Sequence, residues 1–292
     1  MPAEPMPFAR VLDEIAATGY AGTELGDWGF MPTDPEALAG ELAARDLSMI
    51  GAFVPIDFRH RATHIEGARE AVKVAKLLVA VAAGGEDRPA PLVVLADENG
   101  INPRRTEWAG RIAPEMGLAG AEWDIYVEGV ELVARRIAEE TGLASVFHPH
   151  CAGWVETPEE IARLLAGTDP AHVNLAFDTG HFTYGAGEPP ALDLQTALAR
   201  FGDRIRHLHL KDCEPAVAAR ARAEGWDYFG AVRNGVFCEL GRGSVDFEAV
   251  VKWMSDNAYC GWLVVEQDVL PGMGTPRESA ERNRAYLASI GL

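Results

Sequence analysis

Short apolar runs alternate along this chain with longer stretches in which apolar residues recur every three or four positions, the two periods of strand and helix. Phe8, Val11, Leu12, Ile15 and Ala16 mark one helix face, which ends at Thr18 and Gly19, and residues 22–26 follow as a short strand. Asp34 before Pro35 places a capping residue ahead of proline at the first helical position and predicts a helix over 36–45. A strand over 47–54, a helix over about 63–83, a strand over 91–96 and a helix over about 123–141 closed by Gly142 come next. The second half repeats the alternation. Strands are expected at 144–148, 173–177, 205–210 and 262–265, with helices opened by Thr157-Pro158-Glu159-Glu160, near 192–201, at 247–257 and at about 276–290.

Strands that are apolar on both faces and separated by helices imply a parallel sheet covered on its outside. With this many units the expected fold is α/β, a single (β/α)8 TIM barrel over 1–292. Only seven strands are convincing, beginning near Thr23, and nothing before Phe8 supplies an eighth. The barrel is therefore expected to lack its first strand or to have it truncated. One open flank would expose strand edges, which calls for a cover or for a partner subunit in a homo-oligomer. Residues 84–90 read as a loop, and 97–116, with Asn99-Gly100 and Asn102-Pro103, as a long connection on the presumed active face.

Composition narrows the partners. At 48% hydrophobic and 24% charged, a chain of 292 residues easily supports a buried core. Its formal charge of -18 argues against nucleic acid and anionic membranes, since neither offers counterion release to an acidic surface. No apolar run reaches the roughly 18 residues of a membrane span. The longest, 72–83, is broken by Lys73 and Lys76 and reads as a buried helix. Cys151, Cys213, Cys238 and Cys260 form no C-x-x-C pair, so reduced thiols and a cytoplasmic setting are the expectation.

Chemistry gathers where strands end. FHPH (147–150), AFDTGH (176–181), HLHLKD (207–212) and LVVEQD (263–268) each put imidazole or carboxylate after an apolar run. Alternation along a strand points His148 with His150, and His207 with His209 and Lys211, while Asp212 takes the other face. Asp178 either serves chemistry or caps the helix that follows. Glu266 ends a strongly apolar strand, where a carboxylate must be paired, protonated or bound to metal. Glu156 either joins the site or merely flanks a helix start. A donor set of carboxylate and imidazole without thiolate suits Mn²⁺, Co²⁺, Fe²⁺ or Mg²⁺ better than structural zinc.

These segments, with GYAGTELGDWGFMPTD (19–34), HPHCAGWVETPEEI (148–161), FDTGHFTYGAGEP (177–189), GVFCELGRGSVDF (235–247) and GWLVVEQD (261–268), resemble the xylose isomerase-like barrels of sugar isomerases, epimerases and dehydratases. Within that superfamily they are most similar to the inosose dehydratase group, and the likeness spans nearly the whole chain. The long connection 212–234 looks like that group's insertion. The resemblance implies a divalent metal, Mn²⁺ or Co²⁺ first and Zn²⁺, Fe²⁺ or Mg²⁺ after them. Its implied ligands are Asp178, His209 and Glu266, with Glu156 favoured over His148 as the fourth. It implies that His181 touches substrate hydroxyls with Lys211 beside it, and that Glu24, Trp28, His148 and His207 contact substrate, Phe30 adding an apolar wall.

The implied activity is dehydration of a cyclic polyol ketone, with Glu266 or Glu156 as base and His150 or His181 as acid. A sugar isomerase or epimerase using the same site, and a degenerate sugar-binding barrel, are the competing readings.

Overall fold

The computed structural model describes residues 6–82, 88–269 and 274–292. Seven strands form one parallel sheet: β1 (Gly22–Glu24), β2 (Ser48–Ile56), β3 (Leu92–Asp97), β4 (Ser145–Phe147), β5 (Val173–Asp178), β6 (Ile205–Leu210) and, after a small ribbon, β9 (Leu263–Val265). The ribbon pairs β7 (Asp212–Cys213) with β8 (Phe237–Cys238) in antiparallel fashion. Sheet order follows chain order, as consecutive right-handed β-α-β units require. Helices Phe8–Ala17, Pro35–Ala43, His64–Ala82, Ala121–Thr141, Pro158–Gly167, Leu194–Phe201, Phe247–Asp256 and Pro276–Ser289 cover the outside. Element boundaries fall within a few residues of those expected, and the residues 84–87 of the expected loop lie outside the described residues.

Local chemistry explains the boundaries. The Asp34 carboxylate accepts from Ala37 N at 2.9 Å, and Thr157 with Glu160 forms a reciprocal capping box. Gly142 closes its helix at φ 75°, a left-handed turn that costs glycine little. Strands β3, β4 and β5 are buried almost throughout, so both faces are apolar and the sheet curls around its own side chains.

β1 and β9 end the sheet, and neither is paired on its outer side to another described strand. A cavity of about 420 Å³ lies between them, lined by Met6, Val11, Ile15, Tyr20, Leu263 and Val265 among others. The nearly closed barrel with one open flank is the shape expected from seven strands.

Two connections build up the carboxyl-terminal mouth. After β3, the loop contains a short helix, Pro103–Trp108, capped by Asn102. After β7, helices Pro215–Glu224 and Tyr228–Arg233 fold over the mouth. Arg222 donates to the carbonyls of Gly110 and Tyr184, and Arg111 donates to that of Trp226, so the two connections are tied together.

Candidate metal centre

The ends of β4, β5, β6 and β9 bring His148, Asp178, His209 and Glu266 together, with one donor atom of each lying within 4.8 Å of all the others. Asp178 does both things its position allows. Its Oδ1 accepts from His181 N at 2.7 Å and caps the following helix, whereas Oδ2 is buried with no hydrogen-bond partner among the described residues. His148 Nε2 stands 3.7 Å and His209 Nδ1 stands 4.0 Å from that oxygen, and His209 Nδ1 lies 3.0 Å from Glu266 Oε2. Two donors on bonds of about 2.1 Å to one ion sit about 3–4 Å apart. The 3.7 and 4.0 Å spacings to the orphaned Asp178 oxygen are too long for hydrogen bonds but right for a shared cation, and with Glu266 hydrogen-bonded to His209 beside them they fit a divalent metal.

Glu156, the expected fourth ligand, stands elsewhere. Its two oxygens accept from the backbone N–H groups of Gly110 and Ala152 at 2.6 and 2.8 Å, which clamps it between two loops. Burial raises its carboxyl to about 7, against the pull of Arg105 and those amides. His148 takes the fourth place in the cluster because β4 ends one residue before it and turns its ring inward.

Trp28 is another departure. Its ring lies over Lys73 Nζ, 4.3 Å from the ring centre, on the helix His64–Ala82, and it is exposed rather than facing the four donors. Glu24 is directed inward, as expected, but its Oε1 accepts from His207 Nε2 at 2.8 Å and His209 Nε2 at 3.1 Å. His207 is thereby engaged with Glu24. Asp212 serves the ribbon, accepting from the backbone of Cys213, Gly241, Gly243 and Val245.

A second layer of groups faces the cluster. Lys211 Nζ donates to Glu266 Oε1 at 2.7 Å and lies 3.4 Å from His181 Nε2. Burial opposes its charge, but Glu266, Asp178 and Asp268 outweigh that and hold the ammonium well above its ordinary value. Glu266 moves the other way: burial raises it, and Lys211 and His209 bring it well below the usual carboxylate range. The rings of His150 and His181 lie 3.8 Å apart. Burial, then neighbouring cationic groups, depresses both, His150 to about 3, so each is a neutral imidazole near pH 7.

One residue sets their tautomers. The Cys151 carbonyl takes the Nδ1–H of His150 at 2.7 Å, and the Cys151 N–H donates to His181 Nδ1 at 3.3 Å. His150 is therefore left with a lone pair on Nε2 and His181 with a proton on Nε2. Tyr228, from the covering helix, brings its hydroxyl to 3.4 Å from His150 Nε2. Sequence reading did not single out Tyr228 or the Cys151 peptide. Neither carries a periodic or spacing signal.

Residues 12–290 match the family described as Xylose isomerase-like TIM barrel. Among curated proteins, inosose dehydratase of Geobacillus kaustophilus is 32% identical over 282 residues, covering 95% of this chain and 85% of the relative. Inosose dehydratase of Bacillus velezensis is 32% identical over 280 residues, covering 96% and 88%. Solved structures share the fold at low identity. The 3-keto-D-glucoside 4-epimerase YcjR from E. coli superposes with a TM-score of 0.70 at 16% identity, covering 99% of this chain and 97% of the other. The IolI protein with a bound zinc atom gives 0.69 at 16%, covering 98% and 94%.

Proposed function

The chain belongs to the xylose isomerase-like TIM barrel family, and from that premise and its four-donor cluster we propose that it is a metal-dependent carbon-oxygen lyase that dehydrates a cyclic polyol ketone of the inosose type. The observation that carries the reading is the buried, unpartnered Oδ2 of Asp178 facing two imidazoles and a carboxylate. The names of its curated relatives supply the substrate class.

His148, Asp178, His209 and Glu266 would hold the cation, Mn²⁺ or Co²⁺ suiting two imidazoles and two carboxylates without thiolate. When bound, such an ion acts as a Lewis acid on a ketone or hydroxyl oxygen and favours loss of the neighbouring proton. The chain's own residues divide the proton work. His150 Nε2, a lone pair with its tautomer fixed, is the base for the proton α to the ketone. His181 Nε2–H and Lys211 Nζ are two donors 3.4 Å apart, and together they suit a single substrate oxygen gathering negative charge. Lys211, kept charged, steadies the departing β-hydroxyl oxygen, and the proton with which that oxygen leaves as water is the one His150 has taken up.

The roles of Glu156 and Trp28 change in this account. Glu156 supports the mouth loops and Trp28 lies on the outer helix, so neither base chemistry nor substrate contact is assigned to them. A small polyol is the substrate, and the acidic surface disfavours nucleic acid and anionic membranes as partners. No described helix is long and apolar enough to cross a membrane. Four free cysteines support a reducing, cytoplasmic setting, and the open flank supports self-association.

The test is direct. Protein stripped with chelator and reloaded with Mn²⁺, Co²⁺ or Zn²⁺ is incubated with scyllo-inosose while ultraviolet absorbance follows the conjugated dione. Metal-dependent growth of absorbance is expected. Exchange of substrate protons in D₂O without that absorbance would replace the proposal with an isomerase or epimerase. Failure to bind any divalent ion stoichiometrically would end the metal-dependent reading.

A further inference from the structure

Glu24 comes from the far edge of the sheet, yet its carboxylate reaches two histidines of β6, 183 and 185 residues away in sequence. The β1–β2 register shifts between Thr23 and Glu24, an irregularity of the kind that redirects a side chain. His209 is thereby held at both ring nitrogens, Nε2 by Glu24 and Nδ1 facing Glu266 and Asp178. A neutral imidazole has one lone pair, and the nitrogen that keeps the proton decides which one can bind a cation. Carboxylates stand at both nitrogens, Glu24 Oε1 3.1 Å from Nε2 and Glu266 Oε2 3.0 Å from Nδ1; a cation engaging Glu266 would leave Glu24 as the acceptor for the proton, so that Nδ1 is the nitrogen presented to the cluster.

We propose that Glu24 is a positioning residue of the metal centre, fixing His209 as the Nε2–H tautomer so that Nδ1 can bind the cation, with His207 anchoring Glu24 in place. The inference rests on the proposed metal site and adds a residue outside the four donors. His207 fits the anchoring part because its own Nδ1 has no hydrogen-bond partner among the described residues, leaving the Glu24 bond as the hydrogen bond that orients its ring. Without Glu24, His209 would either bury an unsatisfied Nε2–H or turn its proton toward the ligands. Both outcomes weaken cation binding.

Titration of chelator-stripped protein with Co²⁺ alone tests this, read as affinity and as the histidine ¹⁵N spectrum of Zn²⁺-loaded protein. Glu24→Ala should lower Co²⁺ affinity about 10- to 100-fold, the range for loss of an outer-shell partner. Glu24→Gln should lose less than about tenfold, because its amide carbonyl still accepts from Nε2–H. The loaded wild type and Glu24→Gln should both show His209 protonated at Nε2. If Glu24→Ala does not fold, Glu24→Asp, one methylene too short, should show the same loss of more than about tenfold. Wild-type affinity in the Ala or Asp variant overturns the role of Glu24 alone. A wild-type chain that binds no Co²⁺ overturns the metal centre and this inference with it.

Discussion

Arg105 is fully buried and makes a paired contact with Glu160, Nη1 to Oε1 at 2.8 Å and Nη2 to Oε2 at 2.9 Å, while its Nε donates to the Gly153 carbonyl at 2.7 Å. Arg105→Met keeps the stem and removes the charge. Glu160 would then stand largely buried without its cation, and Gly153 would lose its donor. Stranding one member of a buried ion pair costs about 3–5 kcal/mol. A barrel of 292 residues unfolds with an entropy of about 0.6 kcal/mol/K, so Tm should fall by about 5–8 °C in a thermal melt followed by circular dichroism.

Arg105→Met/Glu160→Gln should melt no lower than the single variant, because the amide carbonyl still accepts from Glu156 N and Thr157 N while the stranded charge is gone. The loop consequence is separate. Gly153 N donates to the His150 carbonyl at 2.9 Å, so loosening Gly153 should lower kcat more than it raises KM. A Tm within about 1 °C of wild type would refute the claim that this buried pair stabilises the fold.

Asp97 is buried against the Tyr126 hydroxyl and Trp154 N, and burial raises its carboxyl from 3.8 to about 6. The folded chain then binds more protons than the unfolded one between those values, so stability present at low pH is lost as pH rises from about 4 to 6, by up to about 3 kcal/mol. In Asp97→Asn, denaturant melts across that window should show this loss removed. His148→Ala should weaken Co²⁺ binding beyond the roughly 100-fold ceiling of an outer-shell partner, whereas Glu156→Ala should keep one ion per chain and lower Tm instead, as calorimetric titration and melting would show. Gly110 has φ +76°, and a Cβ there would lie 2.6 Å from the Tyr184 ring, so Gly110→Ala should lose about 1–3 kcal/mol in urea unfolding.

The repeating order of strands and helices was legible because its signals are local. Capping residues at Asp34 and Thr157, the glycine stop at Gly142 and the doubly apolar strands each act within a few residues. Asp178, His209 and Glu266 were legible for the same reason, since each stands at or just beyond a strand end. The choice between His148 and Glu156 was not, because it depends on Gly110 and Ala152, backbone amides from two separate loops that the fold aims at one carboxylate. Trp28 failed differently. Its aromatic face met Lys73 on a neighbouring helix, a contact that no spacing along the chain records. Glu24 was expected in the pocket and points there, but its partners lie more than 180 residues away.

The main-chain N–H and C=O of residue 151 give two identical side chains opposite characters, one an acceptor and the other a donor. Such an assignment survives any change of side chain that spares the amide. Alanine at that position would keep both ring orientations, while proline would keep the carbonyl and abolish the N–H, silencing one imidazole and leaving its neighbour intact. Comparisons of side-chain identity would thus overlook a determinant written entirely in the main chain.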